Sequence, residues 1–164
     1  IATAQAMRGG RRLVFVAGTM RELGADADAL WRSLHAPSSL QRIDVRDHHD
    51  GLSASLRAAV ACAESDPAVE HLLVMLVDQY AVDAHWLHSL LALSRQHPQR
   101  MIASRYDHVR GVPAVFPRSA FAALAALRGD QGARTLLRDE PDPIDHPAPH
   151  PPGDVDTPEQ IPLA

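Results

Sequence analysis

Apolar residues in this chain come either in short unbroken runs or at helical spacing, and the two patterns take turns. The run in RRLVFVAG (11–18) is β-rich and stopped by Gly18, which predicts a buried strand. In DADALWRSLH (26–35), Ala27, Leu30, Trp31 and Leu34 share a helical face behind Asp26, which is placed to cap it. QRIDVRD (41–47) reads as a brief strand. Residues 52–64, LSASLRAAVACAE, put Leu52, Leu56, Ala59, Val60 and Ala63 on one face of a helix. HLLVMLV (71–77) is the strongest strand: it is apolar without alternation, as expected when helices cover both faces of a parallel sheet. DAHWLHSLLALSRQH (83–97) is a helix stopped by Pro98, and RMIAS (100–104) is the next short strand.

The alternation β-α-β-α-β-α-β through residue 104 predicts an α/β open sheet with right-handed crossovers. GVPAVFP (111–117) is followed by helical segments over 118–127 and 131–138. Six of the twelve residues from 141 to 152 are proline, which excludes helix or central strand and predicts an extended, loop-like excursion. DVDTPEQI (154–161) follows. The opening IATAQAMRGGRR has no initiator Met and reads as the tail of a helix, so earlier residues are expected to be missing. One domain is expected over 1–164, incomplete at its N-terminus, with no internal repeat.

Composition changes this picture little. The formal charge of -4 gives no general reason to expect a nucleic-acid partner. No apolar run approaches the roughly 18–20 residues that span a bilayer, so no membrane partner is expected. A single cysteine, Cys62, excludes an internal disulfide framework and fits a reducing cytoplasm. All 16 basic residues are arginine.

Candidate chemistry follows from the strand ends. In an open parallel sheet, ligands bind beyond the carboxyl ends of the strands. Asp78 follows directly after the strongest strand, where a carboxylate suits Mg²⁺ or simply caps the next turn. In DHHDGLSASLRAAV (47–60), Gly51 precedes a helix whose first turn holds Ser53 and Ser55. These can bind an anion or a base edge, with Ser53 as an ordinary N-cap the alternative. DHHD looks like a transition-metal cluster, but adjacent histidines in a strand point to opposite faces and no partner pair has ligand spacing. In GDQGAR (129–134), Arg134 meets a phosphate or is solvated. In DVDTP (154–158), two carboxylates precede a Thr-Pro helix start, as a cap with Pro158 at the first helical position or as oxygen ligands for an ion at Asp78. Cys62 sits on an apolar helical face and reads as a core thiol.

DGLSASLRAAV, LLVMLVDQY, SRYDHVRGVPAVFPRSAF, LRGDQGARTLL and GDVDTPEQI occur in one order with sensible separations across residues 12–161. Together they resemble the molybdenum cofactor cytidylyltransferases, the MocA-like branch of the MobA-like nucleotidyltransferases. The resemblance implies a Rossmann-like open, mostly parallel sheet flanked by helices, of the nucleotide-diphospho-sugar transferase type, with the first strand and phosphate loop missing. It implies a Mg²⁺-dependent reaction in which the phosphate of molybdopterin attacks the α-phosphorus of CTP, giving molybdopterin cytosine dinucleotide and pyrophosphate.

By the same resemblance Asp78 holds Mg²⁺ against the triphosphate, and Asp156, with Asp154 as its substitute, supplies the second carboxylate. Gly51, Ser53, Ser55 and Leu56 line the base and ribose pocket. Gly111, Val112 and Pro113, with Gly132 and Arg134, face the pterin. Three departures stand out: the family's glycine-rich loop with its lysine is absent, Tyr80 replaces the proline of a D-Q-P motif, and Gln160 replaces an acidic residue. The near alternative is a GTP-using guanylyltransferase. The alternative of another class is a noncatalytic relative that binds cofactor, or a molybdoenzyme or its chaperone.

Overall fold

The computed structural model describes residues 2–5, 13–17, 32, 40–45, 50–76 and 78–153. The elements in chain order are β1 (Ala2–Gln5), β2 (Leu13–Ala17), β3 (Leu40–Ile43), α1 (Leu52–Glu64), β4 (His71–Met75), α2 (Ala84–Gln96), β5 (Ile102–Tyr106), β6 (Val109–Pro117), α3 (Phe121–Ala126), α4 (Ala133–Asp139) and β7 (Ile144–Pro147). A 3₁₀ turn, Arg118–Ala120, leads into α3. The main sheet has the order β2-β4-β6-β5-β7. Strand β2 pairs parallel with β4 and β7 parallel with β5, while β6 runs antiparallel to both β4 and β5. Four of the five strands therefore share one direction, the mostly parallel α/β sheet expected. Strands β1 and β3 form a separate antiparallel pair.

The unbroken apolar run of β4 has a direct cause. Successive strand residues face opposite sides. Leu72 and Val74 point into a cluster with Leu56 and Val60 of α1, Phe116 of β6, Phe121 and Leu124 of α3, and Leu137 of α4. Leu73 points the other way, into Trp86, Leu90 and Leu91 of α2, with Ile102 and Val115. Both faces of the strand are covered, so neither tolerates a polar residue. Helix α2 starts as its sequence predicts: the Asp83 carboxylate accepts the Trp86 N–H at 2.8 Å.

Two expectations change, and a central strand appears where none was assigned. Residues 2–5 form β1 rather than a helix tail; so short a stretch satisfies its backbone groups better on a partner strand than in one helical turn. Residues 109–117 are a central strand despite carrying Pro113. Register shifts between Ala103 and Ser104, so Val112 and Pro113 fall in a bulge where a missing N–H costs no ladder bond. The proline-rich 141–152 stretch contributes an edge strand, β7, as proline tolerates an edge position. It then continues as a strap: the Ala148 N–H donates to the Arg105 carbonyl at 3.0 Å. Lastly, the helix expected over 26–35 lies outside the described residues apart from Arg32. No helix of the described residues is long and apolar enough to cross a membrane.

A candidate substrate cleft at the strand ends

Strands β4 and β5 end, and β6 begins, on one edge of the sheet. A cleft of about 1010 Å³ opens there, walled by the start of α1, the exit of β4, the β5–β6 hairpin, the start of α4 and the strap after β7. This is where the strand direction places a ligand. The hairpin is tight: Tyr106 pairs with Val109, and Asp107 takes the left-handed conformation at φ 51° to close it.

Of the residues singled out in the sequence, Ser55, Leu56, Gly111, Val112, Gly132 and Arg134 line this cleft together. They come from three separate stretches of chain. Gly132 packs against Leu52: a Cβ on it would lie 2.7 Å from Leu52 Cδ2, so a larger residue there would have to move that side chain, at the point where the start of α4 meets the start of α1. Gly111 packs under Tyr106, where an added Cβ would lie 3.1 Å from the ring.

Gly51, Ser53 and Pro113 are not part of the lining. Gly51 has φ 73°, and a Cβ on it would come within 2.4 Å of Asp130 Oδ1 and 2.7 Å of the Gly129 carbonyl. Its role is to let the 129–130 turn dock on the start of α1. Ser53 completes that joint. It is fully buried; its N–H donates to the Gly129 carbonyl at 3.2 Å and its hydroxyl to the Asp50 carbonyl at 3.2 Å. Arg57 donates to the Ser53 hydroxyl at 2.9 Å and to the Leu127 carbonyl at 3.1 Å. The Ser53 N–H and hydroxyl, two donors an anion could use at this helix start, are thus engaged with the chain itself. The Pro113 carbonyl accepts from the Ser104 hydroxyl at 2.6 Å, and that hydroxyl accepts from Trp86 Nε1 at 3.1 Å.

Asp78 is half-buried on the turn leaving β4, beside Gln79, which does line the cleft. Asp154 and Asp156 lie outside the described residues, as does most of DHHD. Even so, the chain up to Gly153 runs back to the Asp78 turn. The Tyr80 N–H donates to the Gly153 carbonyl at 3.3 Å, and the Ala81 N–H to that of Pro152 at 3.0 Å. A carboxylate at a strand end is the oxygen donor a hard cation takes, and one or two such ligands suffice where phosphates supply the rest. Asp78 fits that use. Among the described residues no three His, Cys, Asp or Glu side chains converge into a complete metal site.

The cleft also holds residues the motifs did not single out: Arg105, Tyr106, Arg110, Asp130, Arg138 and His150. Arg110 is tied to Asp145 at 2.8 Å and Arg138 to Asp139 at 2.7 Å. The Arg138 pair is fully exposed; hydrogen bonding between the partners raises the arginine pKa and lowers that of the aspartate. Arg105 and Arg134 are exposed, and no other described residue engages their guanidinium groups. They give the cleft two cations available to phosphate. Only the hairpin and the α4 start bring them together, so no sequence spacing announced it. Cys62 is half-buried away from the cleft, and burial raises its thiol pKa, which disfavours the thiolate.

The family model for the MobA-like NTP transferase domain matches residues 3–145. The chain is 30% identical over 107 residues to the purine catabolism protein PucB of Bacillus subtilis (strain 168), which covers 63% of this chain and 50% of PucB. The chain therefore spans half the length of that relative. Its fold resembles Rv0371c from Mycobacterium tuberculosis H37Rv, with a TM-score of 0.68 and 26% identity over 92% of this chain and 72% of that one. A manganese complex of Rv0371c matches with a TM-score of 0.64 and 25% identity, over 92% and 74% of the two chains. A homologue of Rv0371c from Mycobacterium sp. strain JC1 matches with a TM-score of 0.62 and 27% identity, over 92% and 71%.

Proposed function

Because this chain belongs to the MobA-like NTP transferase family, we propose that it carries the substrate cleft of a nucleotidyltransferase that moves CMP from CTP to molybdopterin. The observation that carries this reading is the single cleft in which the β4 exit, the β6 start and the α4 start meet. A donor nucleotide and an acceptor phosphate have to meet in one such place.

In this reading Ser55 and Leu56 border the base and ribose. Gly111, Val112 and Gly132 form the wall against which the pterin lies, with Pro113 behind them. Arg134 and Arg105 draw the acceptor phosphate in and hold it in line with the α-phosphorus of CTP. An acceptor oxygen then forms a bond to that phosphorus, the bond to the β-phosphate oxygen breaks, and pyrophosphate leaves with the electron pair. Little covalent chemistry falls to the protein; alignment and charge neutralisation do the work. Asp78, with Asp154 or Asp156, would hold Mg²⁺, which neutralises triphosphate charge when bound. The manganese complex of a similar protein supports a divalent cation here.

The test is pyrophosphate release by the full-length protein with molybdopterin as acceptor, comparing CTP, GTP and ATP. Release with CTP above the others is expected. GTP preference would assign guanylyl transfer. No release with any nucleotide would overturn the transferase reading in favour of a noncatalytic cofactor-binding or chaperone-binding relative.

A further inference from the structure

Gln79 differs from its neighbours on the β4 exit because both ends of its carboxamide are engaged within the protein. It is 6% exposed. Its Oε1 accepts the Leu76 N–H at 3.1 Å, which closes the turn on which Asp78 sits. Its Nε2 donates to the Val112 carbonyl at 3.0 Å, on the bulge of β6 that walls the cleft. The Tyr106 hydroxyl donates to the same carbonyl at 2.6 Å from the other arm of the hairpin. One side chain thus ties the turn bearing Asp78 to the wall on the acceptor side. The turn has backbone bonds of its own, Gln79 N–H to Leu76 at 3.4 Å and Tyr80 N–H to Asp78 at 2.9 Å. These shape the turn but do not fix it against β6. The amide of Gln79 spans the gap, its oxygen accepting an N–H on the turn and its NH₂ donating to a carbonyl on β6.

We infer that Gln79 is a positioning residue: it keeps the Asp78 carboxylate in register with the Val112 wall, so that cation and acceptor meet at a fixed separation. This rests on the proposed role of Asp78 as a metal ligand. A glutamate at 79 keeps the acceptor for Leu76 but sets a carboxylate oxygen against the Val112 carbonyl. A methionine keeps the volume and removes both bonds.

The experiment is Mn²⁺ binding, metal alone, followed by electron paramagnetic resonance on the full-length protein. It compares wild type, Gln79→Glu, Gln79→Met and Ser104→Ala. Ser104 holds the next carbonyl of the same bulge, that of Pro113, without touching the Asp78 turn. Both Gln79 variants are expected to bind Mn²⁺ about tenfold more weakly, the lower end for residues that orient a metal ligand. The kcat for transfer falls by a similar factor. Ser104→Ala keeps wild-type Mn²⁺ affinity although it is less stable to heat. If one Gln79 variant fails to fold, the other decides. Wild-type Mn²⁺ binding in the folded Gln79 variants overturns the inference alone, as does an equal loss in Ser104→Ala. A wild type that binds no Mn²⁺ overturns the metal reading and the inference with it.

Discussion

Gly153 lies against the ring of Tyr80. Gly153 has φ 68°, and a Cβ built on it would come within 2.7 Å of both Tyr80 Cε1 and Cζ. The backbones are bonded at the same place, Tyr80 N–H to the Gly153 carbonyl at 3.3 Å. Tyr80 therefore has a use here: its exposed ring is a shelf for the strap that follows β7. The residue after Gly153 is Asp154, and the residue two before Tyr80 is Asp78. The contact brings the chain leading to one proposed carboxylate back beside the other.

Gly153→Ala is expected to loosen that strap. The left-handed backbone costs a β-carbon residue about 1–2 kcal/mol, and the methyl group must also displace the ring. Transfer activity should fall about tenfold, while the melting temperature changes little because the strap is an edge feature. Adding Tyr80→Ala removes the ring that the methyl group meets and should restore part of the activity. Limited proteolysis after residue 147 checks the cause: the single variant is cut faster than wild type. An unchanged cleavage rate would separate the strap from the activity loss.

Asp78→Ala is expected to leave the fold intact, since Asp78 is half-buried on a turn and outside both core clusters. Its effect on transfer should be on the order of 10³-fold in kcat, the scale for removing a group that neutralises developing charge. Asp78→Asn, which keeps the shape and loses the charge, should lose nearly as much. Thermal melts and pyrophosphate release measure the two effects separately. Wild-type-like turnover in either variant would remove Asp78 from the metal site.

Much of the fold is legible in the pattern of apolar residues because the sheet is covered on both sides. Leu72, Leu73 and Val74 must all be apolar when α1 and α2 pack on opposite faces. Strand β6 was hidden by Pro113, which argues against a central strand unless the bulge that accommodates it is known. The grouping of Gly132 and Arg134 with Gly111 and Val112 was legible in motif order, since all four line the same cleft. The joint between Gly51 and Asp130 was not. A glycine and a serine at a helix start look alike whether they receive a ligand or a neighbouring turn, and here the turn at Gly129 docks against both. The bond from Gln79 to Val112 spans 33 residues, beyond the reach of any local pattern.

Ser104 offers a test of the buried polar network behind the cleft. Its hydroxyl is fully buried, accepting from the Trp86 indole and donating to the Pro113 carbonyl. Ser104→Ala leaves a buried donor and a buried acceptor without partners, a loss of about 1–3 kcal/mol. Trp86→Phe in that background removes the stranded N–H, so the double variant should lose less than the sum of the singles. Urea denaturation of the four proteins gives the coupling directly. Strict additivity would show that the two side chains do not share a bond in solution.

His146 is expected to make the stability of the fold depend on pH. It sits on the edge strand β7, opposite Ser104. Burial lowers its pKa, backbone bonding near His146 and Pro147 partly offsets this, and the charge of His85 lowers it further. The unfolded chain therefore takes up a proton at this position at a higher pH than the folded one. Stability contributed by neutral His146 is complete above the unfolded value near 6.5, and is lost as pH falls from there toward the folded value. Its partial exposure keeps the effect small. His146→Gln should flatten the slope of unfolding free energy between about pH 5 and 7, and His85→Gln should flatten it less, by removing only the weaker cause. Urea titrations at half-unit pH steps measure both slopes. A wild-type stability that rises on acidification through this window, with the rise lost in His146→Gln, would reverse the sign of the linkage.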